Sequence, residues 1–426
     1  MKKKLLILGS DYGTLDTVRT AQEMGLYVVV TDTMSTSPTK RAADEAWMIS
    51  TTDIDTLEAE CRRHDIAGIA YGASDFNINN GRKLCKRLGL PVYCEDDRAW
   101  EIANNKSEFK KVCRKVGAPV AKDYYLNDKL NDEEIDMITF PVVVKPVDKS
   151  GNRGMSYCYD KEQLKTAWAH ARSISDNPVI VVERMLKGPE YAVNYVIADG
   201  EPRLLYFSAE HHQPGQAANL YSVINTQPLH LRQYLDEVND KVIELLKEVG
   251  CREGVAWVEC MRDEDGKFYL LEMGYRYGGE MTYVPYKLVR GFDTIKWMIE
   301  ISMGQKHQVS DLPSGLNGLE TATAASYYMF SHQAGTIERI DGLEKIESLP
   351  GVFVDFPKRE GNQVRGKAAM GIIRIYGETI QDLVSKIRLI NENLRITDKE
   401  NKGMFIYFDD YGALIDDFEA GIKEFC

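Results

Sequence analysis

Short apolar runs alternate with amphipathic segments over the first part of the chain. The runs with the length and composition of buried strands are Lys4–Leu8, Tyr27–Thr31, Trp47–Ser50, Ile66–Tyr71 and Pro91–Tyr93. The segments with helical patterning between them are Thr14–Met24, Ile54–Arg63 and Asn77–Leu88. Because strands separated by helices usually pair in parallel, this pattern predicts a parallel α/β sheet.

The pattern changes after a well-marked helix that begins at Asn105. Phe109, Val112, Cys113 and Val116 share one helical face, and Asn105 is a good N-cap residue. Strand patterns then follow at Phe140–Val147, Met155–Tyr159, Val179–Glu183, Tyr191–Ala198 and Arg203–Ala209. The last predicted elements are a helix at Gln233–Val249, a hairpin at Val255–Met273, and mixed strands and helices after residue 310.

The composition of the 426 residues is that of a globular protein, with 44% apolar and 28% charged residues. The net charge of −12 disfavours nucleic acid and anionic membranes as partners. The cysteines include no Cys-x-x-Cys pair, which fits reduced thiols in the cytosol. The first apolar run is too short for a signal peptide, and no apolar stretch approaches the ~18 residues of a membrane helix. We therefore expect a cytoplasmic protein.

A lysine at the end of a strand is the first candidate for chemistry. Lys145 ends the apolar run that starts at Phe140, and a loop rich in small residues, Ser150–Gly154, follows it. Glycines let backbone N–H groups approach a polyphosphate, and Lys145 would add a positive charge beside them. An ordinary hairpin turn explains the loop equally well.

Two glutamates on the predicted hairpin are the second candidate. If Asp265-Gly266 forms a two-residue turn, Glu259 and Glu272 lie directly opposite each other on one face. Like charges in this position destabilise a sheet, and a shared divalent cation such as Mg²⁺ would relieve the repulsion. The alternative is a solvated face on which both carboxylates stay in water. Counting by twos from Glu272 places Arg276 on the same face, where it suits a phosphoryl oxygen or a substrate carboxylate.

Taken in order, these pieces resemble the ATP-grasp superfamily. The matching segments are Asn105-Lys106, Val144-Lys145-Pro146, Ser150-Gly151-x-x-Gly154, Val182-Glu183-Arg184-Met185-Leu186-x-Gly188-x-Glu190, Glu259, and Glu272-x-Gly274-x-Arg276-x-Gly278-Gly279. Within the superfamily the chain is most similar to the carbamoyl-phosphate-synthase large-subunit-like and biotin-carboxylase-like branch, including L-amino-acid ligases.

The resemblance implies a fold of mixed α/β and α+β class. It implies a Rossmann-like pre-ATP-grasp domain over residues 1–104 and an ATP-grasp domain over residues 105–310, whose small lobe covers about residues 120–190. Residues 311–426 would form a small C-terminal α+β domain.

The resemblance also implies a nucleotide site. The matching positions are Lys106, Lys145, Ser150, Gly151, Gly154, Glu183, Leu186 and Glu190. Lys106 and Lys145 would hold the α- and β-phosphates of ATP, and the loop containing Ser150, Gly151 and Gly154 would cover the β- and γ-phosphates. Glu183 and the Leu186 backbone would contact the adenine. Glu190 would bind the ribose hydroxyls.

The remaining matches concern the metal and the transferred group. Glu259 and Glu272 would hold Mg²⁺, for which Mn²⁺ could substitute, and Arg276 would act with Lys145 in catalysis. Gly274 stands where the family usually has Asn, and this difference leaves a second Mg²⁺ in question. Of His211 and His212, at most one faces the site, because neighbouring strand residues point to opposite faces.

The implied function is an ATP-dependent carboxylate–amine ligase that works through an acyl phosphate and releases ADP and phosphate. Its partners would be a small carboxylic acid and an amine, with a homodimer as one option for its assembly. One alternative is a bicarbonate-activating enzyme resembling a carboxylase or carbamoyl phosphate synthase. Against that alternative, the chain has no Met-Lys-Met biotin segment and one ATP-grasp unit. The other alternative is an ATP-sensing module without turnover.

Overall fold

The N-terminal part of the computed structural model contains the parallel sheet that the apolar runs predict. The structure describes residues 2–10, 13–35, 37–124, 130–147, 154–177, 179–215, 221–316 and 318–426. The first strands are β1 Lys4–Leu8, β2 Tyr27–Thr31, β3 Glu45–Trp47 and β4 Ile66–Tyr71, in the sheet order β3-β2-β1-β4. The helices are α1 Thr14–Glu23, α2 Pro38–Ala42, α3 Ile54–Arg63, α4 Asp75–Leu88, α5 Asp97–Asn104 and α6 Lys106–Val116.

Two predicted strands in this region are wrong. The third strand is Glu45–Trp47 and not Trp47–Ser50, because the residues that pair with β2 are Glu45–Trp47. Pro91–Tyr93 is a loop, and its apolar character serves packing instead. The Tyr93 ring lies edge-on to Tyr275 at 5.3 Å, and its hydroxyl donates to the Tyr275 carbonyl oxygen at 3.0 Å.

A smaller antiparallel sheet follows. Its elements are β5 Asp123–Tyr124, α7 Asp132–Asp136, β6 Val142–Pro146, β7 Ser156–Cys158, α8 Lys161–Ile174 and β8 Ile180–Arg184, with the strands in the order β5-β8-β6-β7. Helix α8 packs on β6, and the core between them includes Val142, Val144, Leu164 and Val182. The opposite face of this sheet is left for polar side chains, including Lys145.

The central antiparallel sheet is the largest layer. Its strands are β9 Glu190–Ala198, β10 Glu201–His212, β11 Tyr221–Thr226, β12 Gly254–Arg262, β13 Phe268–Gly274, β14 Thr323–Phe330, β17 Val352–Asp355 and β19 Ala369–Gly377. They run in the order β13-β12-β9-β10-β11-β14-β19-β17. Because β11 pairs with β14, the sheet continues across the domain limit predicted at residue 310.

Helices and short strands complete this part of the chain. They are α9 Leu231–Glu237, α10 Asn239–Val249, α11 Tyr283–Arg290, α12 Thr294–Ser302, a 3₁₀ turn Val309–Asp311, β15 Gly335–Thr336, β16 Arg339–Asp341, α13 Leu343–Glu347, β18 Gln363–Val364, α14 Ile380–Asn393, β20 Arg395–Thr397 and α15 Tyr411–Phe425. The predicted helix Gln233–Val249 is two helices, because Val238 leaves the helical region with φ −124° and ψ −40°.

The central sheet buries one face in the main core and turns the other toward the small sheet. Tyr191, Val193 and Tyr195 point into the core, whereas the alternate β9 residues Glu190 and Asn194 do not belong to it. The cysteines are free and buried, except for the exposed Cys426. Over the described part of the chain, no helix is both long and apolar enough to cross a membrane.

Candidate active site

The two glutamates of the hairpin lie where the sequence predicts. The register of β12 and β13 pairs Glu259 with Glu272, and it pairs Glu259 with Ala192 on the other side. Residues directly opposite each other share a face, so both carboxylates lie on the face of the central sheet that is turned toward the small sheet. The hairpin therefore presents two carboxylates side by side.

The predicted two-residue turn is wrong, and a second irregularity compensates for it. Asp263 N–H donates to the Lys267 carbonyl and Gly266 N–H to the Asp263 carbonyl, so the loop has three residues, with Gly266 at φ 78°. This longer loop would shift Glu259 away from Glu272. A β-bulge between Glu259 and Cys260 restores the pairing, because Leu271 is the extra residue on β13.

Lys106, at the start of helix α6, approaches the two hairpin carboxylates. The Asn105 side chain caps this helix by accepting from the Ser107 N–H at 3.0 Å and the Glu108 N–H at 3.3 Å, so Lys106 occupies the first helical position. The Lys106 ammonium forms an ion pair with Glu272. The N-cap prediction is thus confirmed, and it explains how the chain directs this lysine.

Lys145 and Glu183 form a polar surface on the small sheet, opposite the carboxylates of the central sheet. The register pairs Val143 with Glu183, so Lys145, two residues along β6, shares its face, and the two side chains form an ion pair. Burial lowers the pKa of Lys145 to about 7, with Lys110 and Lys106 adding to this effect and Glu272 and Glu259 opposing it. This lysine therefore faces both Glu183 and the carboxylates of the central sheet.

Lys110 is a site residue that the sequence reasoning missed. Its side chain is 1% exposed and forms an ion pair with Glu183 and a 3.4 Å contact with Asp123. The sequence does contain a signal for Lys110. It lies four residues after Lys106, so the two lysines share one face of the helix, and the residues of this helix that face the core are apolar. Glu183, predicted to contact adenine, is thus held between two lysines.

The two hairpin carboxyls have different proton affinities. Burial raises the pKa of Glu259, and the charges of Glu272 and Glu190 raise it further. Burial would also raise the pKa of Glu272, but Lys106, Lys145 and Arg276 outweigh burial and lower it. In the part of the chain that the structure describes, no three His, Cys, Asp or Glu side chains converge as a metal site. Two carboxylates fit Mg²⁺ when phosphate oxygens supply further ligands.

Glu190 and Glu210 lie beside this pair. By the register that pairs Ala209 with Tyr191, Glu210 lies across from Glu190. Burial raises the pKa of Glu210, as do Glu259 and the hydrogen-bonded Glu190 side chain. Sequence reasoning named Glu190 but missed Glu210, although Tyr206, Ser208 and Glu210 alternate with apolar residues in the manner of a one-sided strand.

Arg276 is held by the N-terminal part of the chain. Its guanidinium donates to both Asp75 carboxylate oxygens, at 2.5 and 2.9 Å, and to the Tyr277 carbonyl at 2.7 Å. Strand β13 ends at Gly274. The alternation of side chains between the two faces of the strand therefore does not extend to Arg276, and it cannot be used to assign the face of that residue. The residue still lies close enough to Glu272 to lower its pKa.

Glu280 is a further buried carboxyl at this end of the site. It accepts hydrogen bonds from Asn194 Nδ2 at 3.1 Å and from the Tyr206 hydroxyl at 3.2 Å. A Cβ at Gly278 would lie 1.8 Å from a Glu280 carboxylate oxygen, so any larger residue there would require the Glu280 side chain to move. Neither Asn194 nor Glu280 was singled out from the sequence.

The other predicted nucleotide residues are Ser150, Gly151, Gly154 and Leu186. Ser150 and Gly151 fall outside the described residues. Gly154 has φ 79°, and a Cβ there would lie 2.3 Å from Ile174 Cδ1, which explains the glycine. Leu186 lies in the segment that joins β8 of the small sheet to β9 of the central sheet.

His211 and His212 flank a register shift in β10. His211 is paired with Val223, on the face away from the glutamates. Burial lowers the pKa of His211 to about 4, so the ring is neutral near pH 7. His211 is therefore a buried residue that does not share the face of Glu259 and Glu272.

Comparison with known proteins places this cleft in a family. The model of the ATP-grasp domain matches residues 138–283. Phosphoribosylamine–glycine ligase of Lactococcus lactis is 26% identical over 337 residues, which are 76% of this chain and 78% of that protein. The 2-oxoglutarate carboxylase small subunit of Hydrogenobacter thermophilus is 24% identical over 80% of this chain and 75% of its own.

Solved structures share the fold. L-amino acid ligase of Bacillus licheniformis superposes with a TM-score of 0.77 at 19% identity, over 93% of this chain and 99% of that one. The biotin carboxylase domain of the Hydrogenobacter thermophilus 2-oxoglutarate carboxylase, a dimer in complex with MgADP, ADP and bicarbonate, has a TM-score of 0.73 at 20% identity over 98% of this chain and 99% of that one.

Proposed function

This chain is an ATP-grasp protein, and on that premise we propose that it is a ligase that joins a small carboxylic acid to an amine with ATP as the energy source. The observation that carries the proposal is the opposition of Glu259 and Glu272 on a face that also receives Lys106 and Lys145. The two carboxylates repel each other when the site is empty. A metal-bound polyphosphate would satisfy them through the metal and the two lysines through the phosphates.

The nucleotide occupies the cleft between the small and central sheets in this proposal. Lys106 and Lys145 bind the α- and β-phosphates, and Glu190 binds the ribose. Glu183 orients Lys145 by the ion pair between them and contacts the adenine. Glu259 and Glu272 hold Mg²⁺, which when bound offsets the charge that develops on the transferred phosphoryl group.

The chemistry then needs no protein nucleophile. A carboxylate oxygen of the acid attacks the γ-phosphorus, the bond between that phosphorus and the β–γ bridging oxygen breaks, and ADP leaves with the electron pair. The neutral amine nitrogen attacks the carbon of the acyl phosphate, the bond from carbon to the phosphate oxygen breaks, and the leaving phosphate takes the proton that the nitrogen loses as the amide forms. The small lobe excludes water from the acyl phosphate until the amine attacks it.

Arg276 steadies the transferred group. Its planar fork suits a carboxylate or phosphoryl oxygen pair, and in the structure the same fork binds the Asp75 carboxylate. Asp75 thus occupies the position that the acid would take on Arg276. We propose that the acid displaces Asp75 as it binds.

Bicarbonate is the runner-up for the activated acid. The similarity to a 2-oxoglutarate carboxylase subunit over 80% of this chain favours it. In that case ADP release would require bicarbonate and no other acid. Omission of bicarbonate from degassed buffer, with and without added carboxylic acids, separates the two substrates.

The direct test is a phosphate-release screen with Mg²⁺ and ATP over pairs of amino acids and small carboxylic acids. We expect ADP and phosphate in equal amounts, together with a product whose mass is the sum of acid and amine less water. Phosphate release without such a product in every pair would contradict the proposal. Mass measurement of the purified chain in the same samples reports whether the enzyme is a homodimer, which we also propose.

A further inference from the structure

A serine continues the row of residues that contains the two hairpin glutamates. The registers pair Ser208 on β10 with Ala192, Ala192 with Glu259, and Glu259 with Glu272. All four therefore share one face of the sheet. Neighbouring strands are about 4.8 Å apart, so Ser208 lies roughly 10 Å from Glu259, with only the small Ala192 between them.

A carboxyl without a cationic partner among the described residues lies beside Ser208. Glu210 lies two residues along β10 on the same face, and its carboxyl is influenced by Glu259, Glu190 and Glu280. The cations of the site are already engaged, in three pairs: Lys106 with Glu272, Lys145 with Glu183, and Arg276 with Asp75. Over the described residues, Glu210 has no Lys, Arg or His partner.

The Ser208 hydroxyl is itself unpaired. It is fully buried, and it has no hydrogen-bond partner among the residues that the structure describes. Buried polar atoms in proteins are nearly always hydrogen-bonded, and each exception needs an explanation. A hydroxyl that accepts from a ligand would be satisfied only when that ligand is bound.

The missing partner is a hydrogen-bond donor with positive charge. An ammonium group fits, because it carries a positive charge and three donors, and Glu210 and Ser208 offer acceptors. Unlike a divalent ion, it is satisfied by one carboxylate and one hydroxyl.

We propose that Glu210 and Ser208 bind the ammonium group of the amine substrate. This inference rests on the proposed ligase function and adds the substrate class, a primary amine that enters as a cation, as α-amino acids do. The distance of two strands from Glu259 keeps the ammonium group clear of the metal and phosphates. Before attack the ammonium group gives one proton to the Glu210 carboxylate, which frees the nitrogen lone pair, and the neutral amine then reaches the acyl phosphate along the same face of the sheet.

The experiment compares a charged with an uncharged nucleophile. Hydroxylamine is uncharged at neutral pH and traps an acyl phosphate as a hydroxamate, so it has no need of an ammonium subsite. With Mg²⁺, ATP, pooled small carboxylic acids and the twenty protein amino acids, we measure the ratio of amide to hydroxamate. The variants are Glu210→Gln and Ser208→Ala, and the matched control is Glu201→Gln, an exposed glutamate at the start of the same strand.

We expect the ratio to fall at least about tenfold in Glu210→Gln, which corresponds to about 1.4 kcal/mol, and to stay at the wild-type value in Glu201→Gln. Ser208→Ala should lower the ratio without lowering the unfolding temperature, because it removes an unpaired hydroxyl. Methylammonium chloride, compared with sodium chloride at equal ionic strength, should lower the ratio of amino-acid amide to hydroxamate in the wild type and not in Glu210→Gln.

The outcomes separate the two proposals. If the wild type forms no hydroxamate from any acid, the ligase function is wrong. If the wild type forms hydroxamate and amide but both variants keep the wild-type ratio, the ammonium site is wrong while the ligase function stands. A Ser208→Ala protein that loses stability together with amide formation would assign Ser208 a structural role instead.

Discussion

Glu259 and Glu272 lie directly opposite each other at the point where a β-bulge shifts the register of the β12–β13 hairpin. The bulge places the two carboxylates side by side, and the burial of the hairpin keeps them there. Burial and the charge of Glu272 raise the pKa of Glu259, whereas the pairing with Lys106 helps to lower the pKa of Glu272. The arrangement is unfavourable by itself and becomes favourable when a divalent cation is shared.

Glu272→Gln should abolish turnover while the fold survives. The substitution removes a proposed metal ligand and also relieves the repulsion from Glu259, so we expect ADP formation to fall at least about 100-fold with little change in unfolding temperature. Glu264→Gln, an exposed position in the loop of the same hairpin, is the control and should keep wild-type activity. ADP formation at the wild-type rate by folded Glu272→Gln would contradict the assignment of Glu272 as a metal ligand.

Glu183 should contribute to stability as well as to nucleotide binding. Its side chain is paired with both Lys110 and Lys145, so Glu183→Gln leaves Lys145 without this carboxylate partner and leaves Lys110 with only the 3.4 Å contact to Asp123. We expect a loss of about 3–5 kcal/mol in the free energy of unfolding, measured with urea. Lys110→Met should cost less, because Glu183 keeps Lys145 and Asp123 keeps Arg114. A larger loss in Lys110→Met than in Glu183→Gln would contradict this account.

Binding of ATP should be accompanied by proton uptake at Lys145. Burial lowers the pKa of this lysine to about 7, and bound phosphates would raise it again. A site that takes up a proton on binding loses affinity as pH rises, so the affinity for ATP should fall between about pH 7 and pH 9. Calorimetry at about pH 8 in buffers with different ionisation enthalpies measures the uptake directly.

Lys145→Met should abolish this uptake and weaken ATP binding about 10- to 100-fold, since a charge-assisted hydrogen bond is lost. Lys165→Met, on helix α8 of the same lobe, is the matched control and should keep both. Equal proton uptake in the wild type and in Lys145→Met would show that another group titrates.

Local signals explain which parts of the fold the sequence predicts well. The strands Lys4–Leu8, Tyr27–Thr31 and Ile66–Tyr71 have the predicted bounds, because apolar runs between turn residues can fit only a buried strand. Asn105 caps its helix as expected from its own side chain. The face shared by Glu259 and Glu272 is also predicted, although two errors cancel in that argument.

The rest depends on contacts between distant segments. Lys110 meets Glu183, and Asp75 meets Arg276 across 201 positions of the chain, and no local pattern connects such partners. The bulge at Leu271 follows from packing and cannot be counted from the turn. Glu210 was within reach, because its alternation with apolar neighbours on β10 marks it as a residue of the open face.

The central claim is that a substrate carboxylate takes the γ-phosphoryl group of ATP, and label transfer tests it most directly. The acid is prepared with ¹⁸O in its carboxylate and incubated with the enzyme, Mg²⁺, ATP and the amine. Attack by a carboxylate oxygen and later cleavage of the acyl phosphate carry one ¹⁸O atom from the acid into the released phosphate. We predict one labelled oxygen per phosphate, with unlabelled ADP and no AMP. Label in AMP, or unlabelled phosphate released while the amide forms, would contradict the account.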